Sequence, residues 1–370
     1  MTIQLAGSVA PRGTVFGRDT YGVTSRSGYD VVIATRNRPT TLENCLRHFE
    51  RQSVLPNQVI VVDSSEDSNL VRSRIMTSRI ADVEWRFLTS DVQSLPYQRN
   101  LGLKQVTSEV VFFPDDDSVF YPNSAEAILG AYAQDAAGCV AGVGGRPVLH
   151  GPQEFAEAGH SPHFKQRVAP LRNTLESRFV PQPFNTYPQE LWARRSLPNW
   201  IDGEEYRAVQ TIGGYLLTLR TAIAKRLCFD EVLGYGIGYA LHEDMEFSMR
   251  AQMEGLVLVA AMKAPVFHDV HPGRRANGFN YGFCWILNYL YACRKTMPVS
   301  SRSYKIDLAR FLRYKILLYR VRALASRSDY DRDVLCGAET AWRNRGELLD
   351  CGTDTLVASY RKLCDTYLEA

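Results

Sequence analysis

The stretch Val110-Val111-Phe112-Phe113-Pro114-Asp115-Asp116-Asp117-Ser118 decides how the rest of the chain is read. A short apolar β-type run stops at three consecutive carboxylates. The acids are therefore predicted at the C-terminal end of a buried strand, where open α/β sheets place their ligands. Adjacent carboxylates repel one another and require positive charge among them. A hard divalent cation such as Mg2+ or Mn2+, carrying phosphate oxygens, answers that requirement. The same triplet would also serve as a solvated turn and N-cap before a helix over Pro122 to Gln134.

Upstream, the grammar of strand, polar end and helix repeats. Tyr29 to Thr35 is a β-branched strand followed by Arg36-Asn37-Arg38-Pro39 and a helix from Thr40 to Arg51, with Pro39 as its start signal. Gln58 to Val62 is a second strand ending in Asp63-Ser64-Ser65, with a helix from Asn69 to Arg79. A third strand, Val83 to Leu88, leads into a helix from Gln98 to Gln105, and the fourth strand bears the acids. Such alternation implies βαβ units, a mainly parallel sheet flanked by helices, and right-handed crossovers that bring Thr35, Asp63 and Asp115 to Asp117 to one edge.

Downstream, Gly138 to Val148 reads as a Gly-rich strand, and residues 150–210 as an irregular loop rich in Pro and aromatics, including His160, His163, Trp192 and Trp200. A long loop of this kind is a binding loop or lid, its aromatics stacking on sugar faces or pinning it to the core. Thr211 to Leu219 reads as a strand whose pair Gly213-Gly214 suits close backbone approach. A helix then begins at Glu243-Asp244, in a first turn that favours acids in any case, with Met245, Met249 and Met253 as its core stripe. A strand from Val257 to Ala261 precedes His268-Asp269-Val270-His271-Pro272-Gly273-Arg274-Arg275, where two histidines flank an acid beside two arginines and become ligand candidates.

From Phe279 the pattern is helical: Phe279 to Thr296, Tyr304 to Arg327, Tyr330 to Leu349 and Thr353 to Leu368. The second of these is strongly basic, a solvated packed helix or a peripheral contact for an anionic membrane surface or lipid diphosphate. The expected organisation is an N-terminal extension (1–28), a catalytic domain (29–278) and a helical C-terminal region (279–370). With 45% hydrophobic residues and a net charge of +3, the chain has an ordinary globular composition and no general nucleic-acid coat. Eight scattered cysteines without CxxC, and no apolar leader in the first thirty residues, point to a cytoplasmic protein, with contact to the inner face of a membrane as an option. Its longest apolar patches, Val257 to Ala261 and Phe283 to Tyr291, are too short or interrupted to span a bilayer.

Five motifs, in order and spacing, resemble the family 2 glycosyltransferases with the GT-A fold, over about residues 29–270. They are Val31 to Arg38, Val61 to Ser65, Gln98-Arg99-Asn100-Leu101-Gly102, the Asp115 to Asp117 triplet, and Glu243-Asp244 with Arg250. The resemblance implies donor-nucleotide contacts at Thr35, Arg36, Asn37, Arg38, Asp63, Arg99, Asn100, Asp115 and Asp116. It implies a DxD motif with Asp117 as the direct metal ligand, His268 completing the site and His271 as runner-up. It further implies a general base at Asp244 and cofactors Mn2+ or Mg2+. Glu243, Trp200, Gly214, Arg274 and Arg275 join as acceptor or diphosphate contacts, with Arg194 and Arg195 in the loop. The implied reaction moves a sugar, with inversion, from a nucleotide-sugar donor to a hydroxyl of a glycan, lipid-linked or small-molecule acceptor; polysaccharide biosynthesis is an expectation from family breadth alone. Asp-Ser-Ser-Glu in the second motif and Pro114 before the triplet depart from the family pattern. A nucleotidyltransferase would carry a basic Gly-rich loop after the first strand, and Ala34 to Pro39 has no glycine; a non-catalytic nucleotide-sugar-binding protein would lack the acids at 117 and 244, and both are present.

Overall fold

A computed structural model describes residues 26–76, 80, 82–152, 197–236, 240–270, 277–297 and 302–368. The first half follows the predicted alternation: β1 (Arg26–Thr35), α1 (Pro39–Glu50), β2 (Gln58–Asp63), α2 (Ser68–Met76), β3 (Glu84–Thr89), α3 (Leu95–Leu103) and β4 (Ser108–Phe112). All six residues of β2 are buried, as a strand covered by helices on both faces must be. The acids lie in the turn between β4 and β5 (Ser118–Phe120), directly before β5, which is followed by α4 (Ser124–Gln134) and β6 (Val140–Val148).

The second half completes the sheet. It contributes β7 (Tyr206–Ala208), β8 (Leu217–Arg220), α5 (Thr221–Leu227), α6 (Glu243–Met253) and β9 (Val257–His268). The strands lie in the order β3-β2-β1-β4-β8-β6-β9-β5, with β7 added to β9. Strands β1 to β4, β6 and β9 run one way, and β5, β7 and β8 oppose them. The architecture is therefore the expected α/β sheet, parallel in most of its strands, with a helical C-terminal region.

In the sheet half of the chain, three sequence readings change. The strand expected over Thr211 to Leu219 is a 3-10 turn at Gly214–Leu216 followed by β8, because the chain must reverse before pairing antiparallel with β4. Strand β9 runs unbroken through Lys263 and Pro265 to His268, since its far end pairs with β5 and with β6. Met249 is buried as expected, whereas Met253 is 48% exposed at the end of α6.

Register places the site. Thr35 lies opposite Asp63, Asp63 opposite Thr89, and Ala34 bridges to Asp115. Close packing of α3 on the sheet depends on Gly102, where a Cβ would stand 2.4 Å from Val32 Cγ1. The glycine of the Arg-Asn-x-Gly motif is thus a contact point between helix and strand.

The C-terminal helices are α7 (Gly278–Thr296), α8 (Arg302–Ser326), α9 (Asp329–Arg343), α10 (Gly346–Leu349) and α11 (Leu356–Tyr367). The single helix expected over Tyr330 to Leu349 breaks around Asn344 and Arg345. These helices form a second apolar core that also takes in Met249 of α6 and Leu233. Fully buried Asn288 of α7 ties these helices to the segment that leads into α6: its amide donates to the carbonyls of Leu233 and Leu241, and its oxygen accepts from Tyr360.

Gly102→Ala is expected to cost about 1–3 kcal/mol through overpacking against β1. A urea midpoint equal to that of the wild type would contradict the close contact between α3 and Val32.

Candidate active site

Side chains from three separate segments hold the three carboxylates. Asp115 accepts from Arg99 Nη2 at 3.0 Å. Asp116 accepts from Thr35 Oγ1 at 2.9 Å and from the Arg38 guanidinium. Asp117 accepts from Arg38 Nη2 at 2.9 Å, while its other oxygen lies 3.0 Å from His268 Nε2. The loop after β1, helix α3 and the end of β9 therefore converge on the acids that follow β4. Their negative field still reaches Cys45: its thiol is pushed well above the ordinary range, first by burial and then by Asp116, Asp117 and Asp115.

Arg99 is 1% exposed and works as a fork. Besides Asp115 it donates to Glu243 Oε1 at 3.2 Å and to the Gly214 carbonyl at 3.3 Å. Gly214 N–H in turn donates to Asp244 Oδ2 at 2.7 Å, and Met245 N–H to Asp244 Oδ1 at 2.7 Å. The 3-10 turn thus links the acid triplet to the first turn of α6. Burial raises the pKa of Glu243, with the charge of Asp244 as the second cause. Burial also raises that of Asp244, against the pull of its two N–H donors. Of the two acids Glu243 is the more enclosed and ion-paired; Asp244 is half-buried.

His242, the residue before this pair, caps α6 with φ +69, a backbone state uncommon outside glycine. Its ring is buried against Trp285 and Tyr289, and burial lowers its pKa to about 4. A neutral imidazole therefore anchors the helix that carries Glu243 and Asp244.

On the other flank, Asn37 and Asp63 join the loops after β1 and β2. Asn37, at φ +54, donates its N–H to Ser65 Oγ at 2.7 Å and accepts from Glu66 N–H. Asp63 Oδ1 accepts from Ser65, whereas its Oδ2 is buried with no partner among the described residues. Arg36 is exposed and pairs with Glu66 at 3.8 Å.

Two of the expected contacts are not brought to the acids. Asn100 points to the far side of α3, bonded to both the N–H and the carbonyl of Phe229 and to Glu231. Trp200 packs edge-on against Tyr206, whose strand pairs with β9 at Ala261, seven residues before His268 and roughly 20 Å away along an extended strand. Here the aromatic pins its segment to the core. His271, Arg274, Arg275, Arg194 and Arg195 lie outside the described residues.

Two contributors escaped the sequence reading. Gln98 bridges the ends of β1 and β2 by donating to the carbonyls of Thr35 and Val62; its place in the motif with Arg99 was the available signal. Tyr215 stacks on His268, ring centroids 4.3 Å apart and planes within 10°, a contact between remote segments that no local pattern announces.

Asp115, Asp117 and His268 each offer a ligand atom within 4.8 Å of the others, and two carboxylate oxygens with one imidazole nitrogen suit a divalent cation.

Residues 30–195 match the sequence model of glycosyl transferase family 2, so the resemblance carried by the motifs is shown: the chain bears a family 2 glycosyltransferase segment. Glu243, Asp244 and His268 lie beyond it and reach the site through the fold. No curated protein matches the chain. Among solved structures it is similar to S. aureus TarS 1–349 in complex with UDP-GlcNAc (15% identity, 92% of this chain and 91% of that one, TM-score 0.49). The same fragment in complex with UDP gives 16% identity over the same shares, with a TM-score of 0.48. Mannosyltransferase PcManGT from Pyrobaculum calidifontis, in complex with GDP-Man and Mn2+, gives 15% identity over 93% of this chain and 87% of that one, with a TM-score of 0.48.

Arg38 supplies the positive charge on Asp116 and Asp117, which a cation at Asp117 would share or displace. Arg38→Gln is expected to lower stability by about 3 kcal/mol, since it removes the cationic partner shared by two buried carboxylates. Added Mn2+ should then raise the melting temperature of the variant more than that of the wild type. Equal shifts in scanning fluorimetry would contradict this role.

Proposed function

We propose that the protein is a metal-dependent, inverting glycosyltransferase that moves a sugar from a nucleoside-diphosphate sugar to an acceptor hydroxyl. The observation that carries the reading is the pairing of two chemistries on one sheet edge. Asp115, Asp117 and His268 stand within cation-binding reach of one another, and Asp244 is tied to the same assembly through Gly214 and Arg99. When held by Asp115, Asp117 and His268, a divalent cation, Mn2+ or Mg2+, supplies positive charge for the leaving diphosphate.

The chain's own residues do the rest. The unpartnered Oδ2 of Asp63 accepts from a hydroxyl or ring N–H of the donor nucleoside, which docks beside Thr35 to Arg38. Asp244 takes the proton of the acceptor hydroxyl as that oxygen attacks the anomeric carbon. The bond from this carbon to the diphosphate oxygen breaks with its electron pair, and the configuration inverts. The raised pKa of Asp244 strengthens it as a base. Arg99 is a positioning residue: its fork fixes Asp115 relative to Glu243 and to the turn that holds Asp244. His271, Arg274 and Arg275, just after β9 in the chain, are assigned to the diphosphate and acceptor side.

Asp244→Asn should bind donor as the wild type does while turnover falls by at least about a hundredfold. Asp117→Ala should lose metal-dependent nucleotide binding by calorimetry. Wild-type turnover in the first variant would remove Asp244 from the base role, and unchanged metal dependence in the second would remove Asp117 as a ligand.

A further inference from the structure

Helix α8 spans 25 residues and carries seven Lys and Arg against one acid, Asp307. One face, with Leu308, Phe311, Leu312 and Ile316, is buried in the C-terminal core. The opposite face is not covered: Ile306, Leu317, Val321 and Leu324 are 46%, 51%, 56% and 75% exposed. Positions 306, 310, 313, 317, 320 and 324 step by threes and fours, so Arg310, Arg313 and Arg320 share a single stripe with these aliphatic side chains. The stripe is about 27 Å long at the helical rise. Arg320 pairs with Glu339 at 2.6 Å, and Arg310 is 3.9 Å from Asp307. Lys305 and Arg313 meet no carboxylate among the described residues, and Arg313 lies over the Trp342 ring at 5.7 Å.

We infer that this face of α8 docks on an anionic phospholipid surface, with the helix lying in the plane of the headgroups. The aliphatic side chains enter the acyl boundary while the long cationic side chains reach lipid phosphates. No helix among the described residues is long and apolar enough to cross a membrane, so the contact is one of lying on the surface. The charge complement selects this occupant. A second copy pairing through the same face about a two-fold axis would set one arginine-rich row against another, and Arg310 and Arg313 interrupt the apolar seam that a partner helix needs. The inference is independent of the transfer reaction, and its failure leaves the reading of the active site unchanged.

The test is sedimentation of the full chain with vesicles of phosphatidylcholine alone and of phosphatidylcholine mixed equally with phosphatidylglycerol. The protein is expected to pellet with the anionic vesicles at low salt, to be released as salt rises, and to ignore the neutral ones. The double variant Leu317→Glu, Leu324→Glu, at exposed positions, should weaken binding by at least about tenfold. Arg310→Gln with Arg313→Gln, which keeps the apolar side chains, should also weaken it and flatten its salt dependence. Absence of pelleting on anionic vesicles at low salt, or unchanged binding in both variants, overturns the proposal. So does a wild-type dimer in light scattering that the double glutamate variant splits, which would assign the face to a second copy.

Discussion

Three adjacent carboxylates at the end of a buried strand are unstable by themselves, and the surrounding structure is arranged to neutralise them. The positive charge comes from Arg99 on α3 and Arg38 in the loop after β1, while His268, at the end of β9, lies within hydrogen-bond distance of Asp117. Each comes from a different part of the chain, so the repulsion among Asp115, Asp116 and Asp117 is relieved only when the sheet is assembled. The charge cluster and the tertiary fold therefore depend on each other.

Rigidity follows from the way these groups are fixed. Arg99 is almost wholly buried, and its fork spans the triplet, the 3-10 turn and α6. Helix α6 is anchored from below by His242 against Trp285 and Tyr289, and by Lys295, which bonds both Asp230 and Glu246. The C-terminal helices thus support the half of the site that holds Glu243 and Asp244. Asp244, at the start of α6, is fixed in orientation by two backbone N–H groups, those of Gly214 and Met245.

Much of this was legible in the chain. Continuous valine-rich runs ending in polar residues are what a doubly covered parallel strand requires, so β1, β2 and β4 and the convergence of Thr35, Asp63 and the triplet could be read directly. Strand β8 could not: it is placed by antiparallel pairing with a strand about a hundred residues earlier, and Gly213-Gly214 serves a turn as readily as a strand. Asn100 shows a different limit. Its neighbour Arg99 faces the acids, and one step along a helix rotates a side chain by about 100°, which sends Asn100 to the other side. Trp200 was ambiguous for a related reason, because an indole suits a sugar face and a core edge equally well. The stack of Tyr215 on His268 and the double grip of Arg38 exist only in three dimensions.

The most direct test of the central claim is the nitrogen coupling in the electron spin-echo spectrum of Mn2+ bound to the protein with a nucleoside diphosphate present. A site built from Asp115, Asp117 and His268 predicts bound Mn2+ with one imidazole nitrogen coupling, which disappears in His268→Ala. Bound Mn2+ without that nitrogen, or no bound Mn2+ with any nucleoside diphosphate, would contradict it.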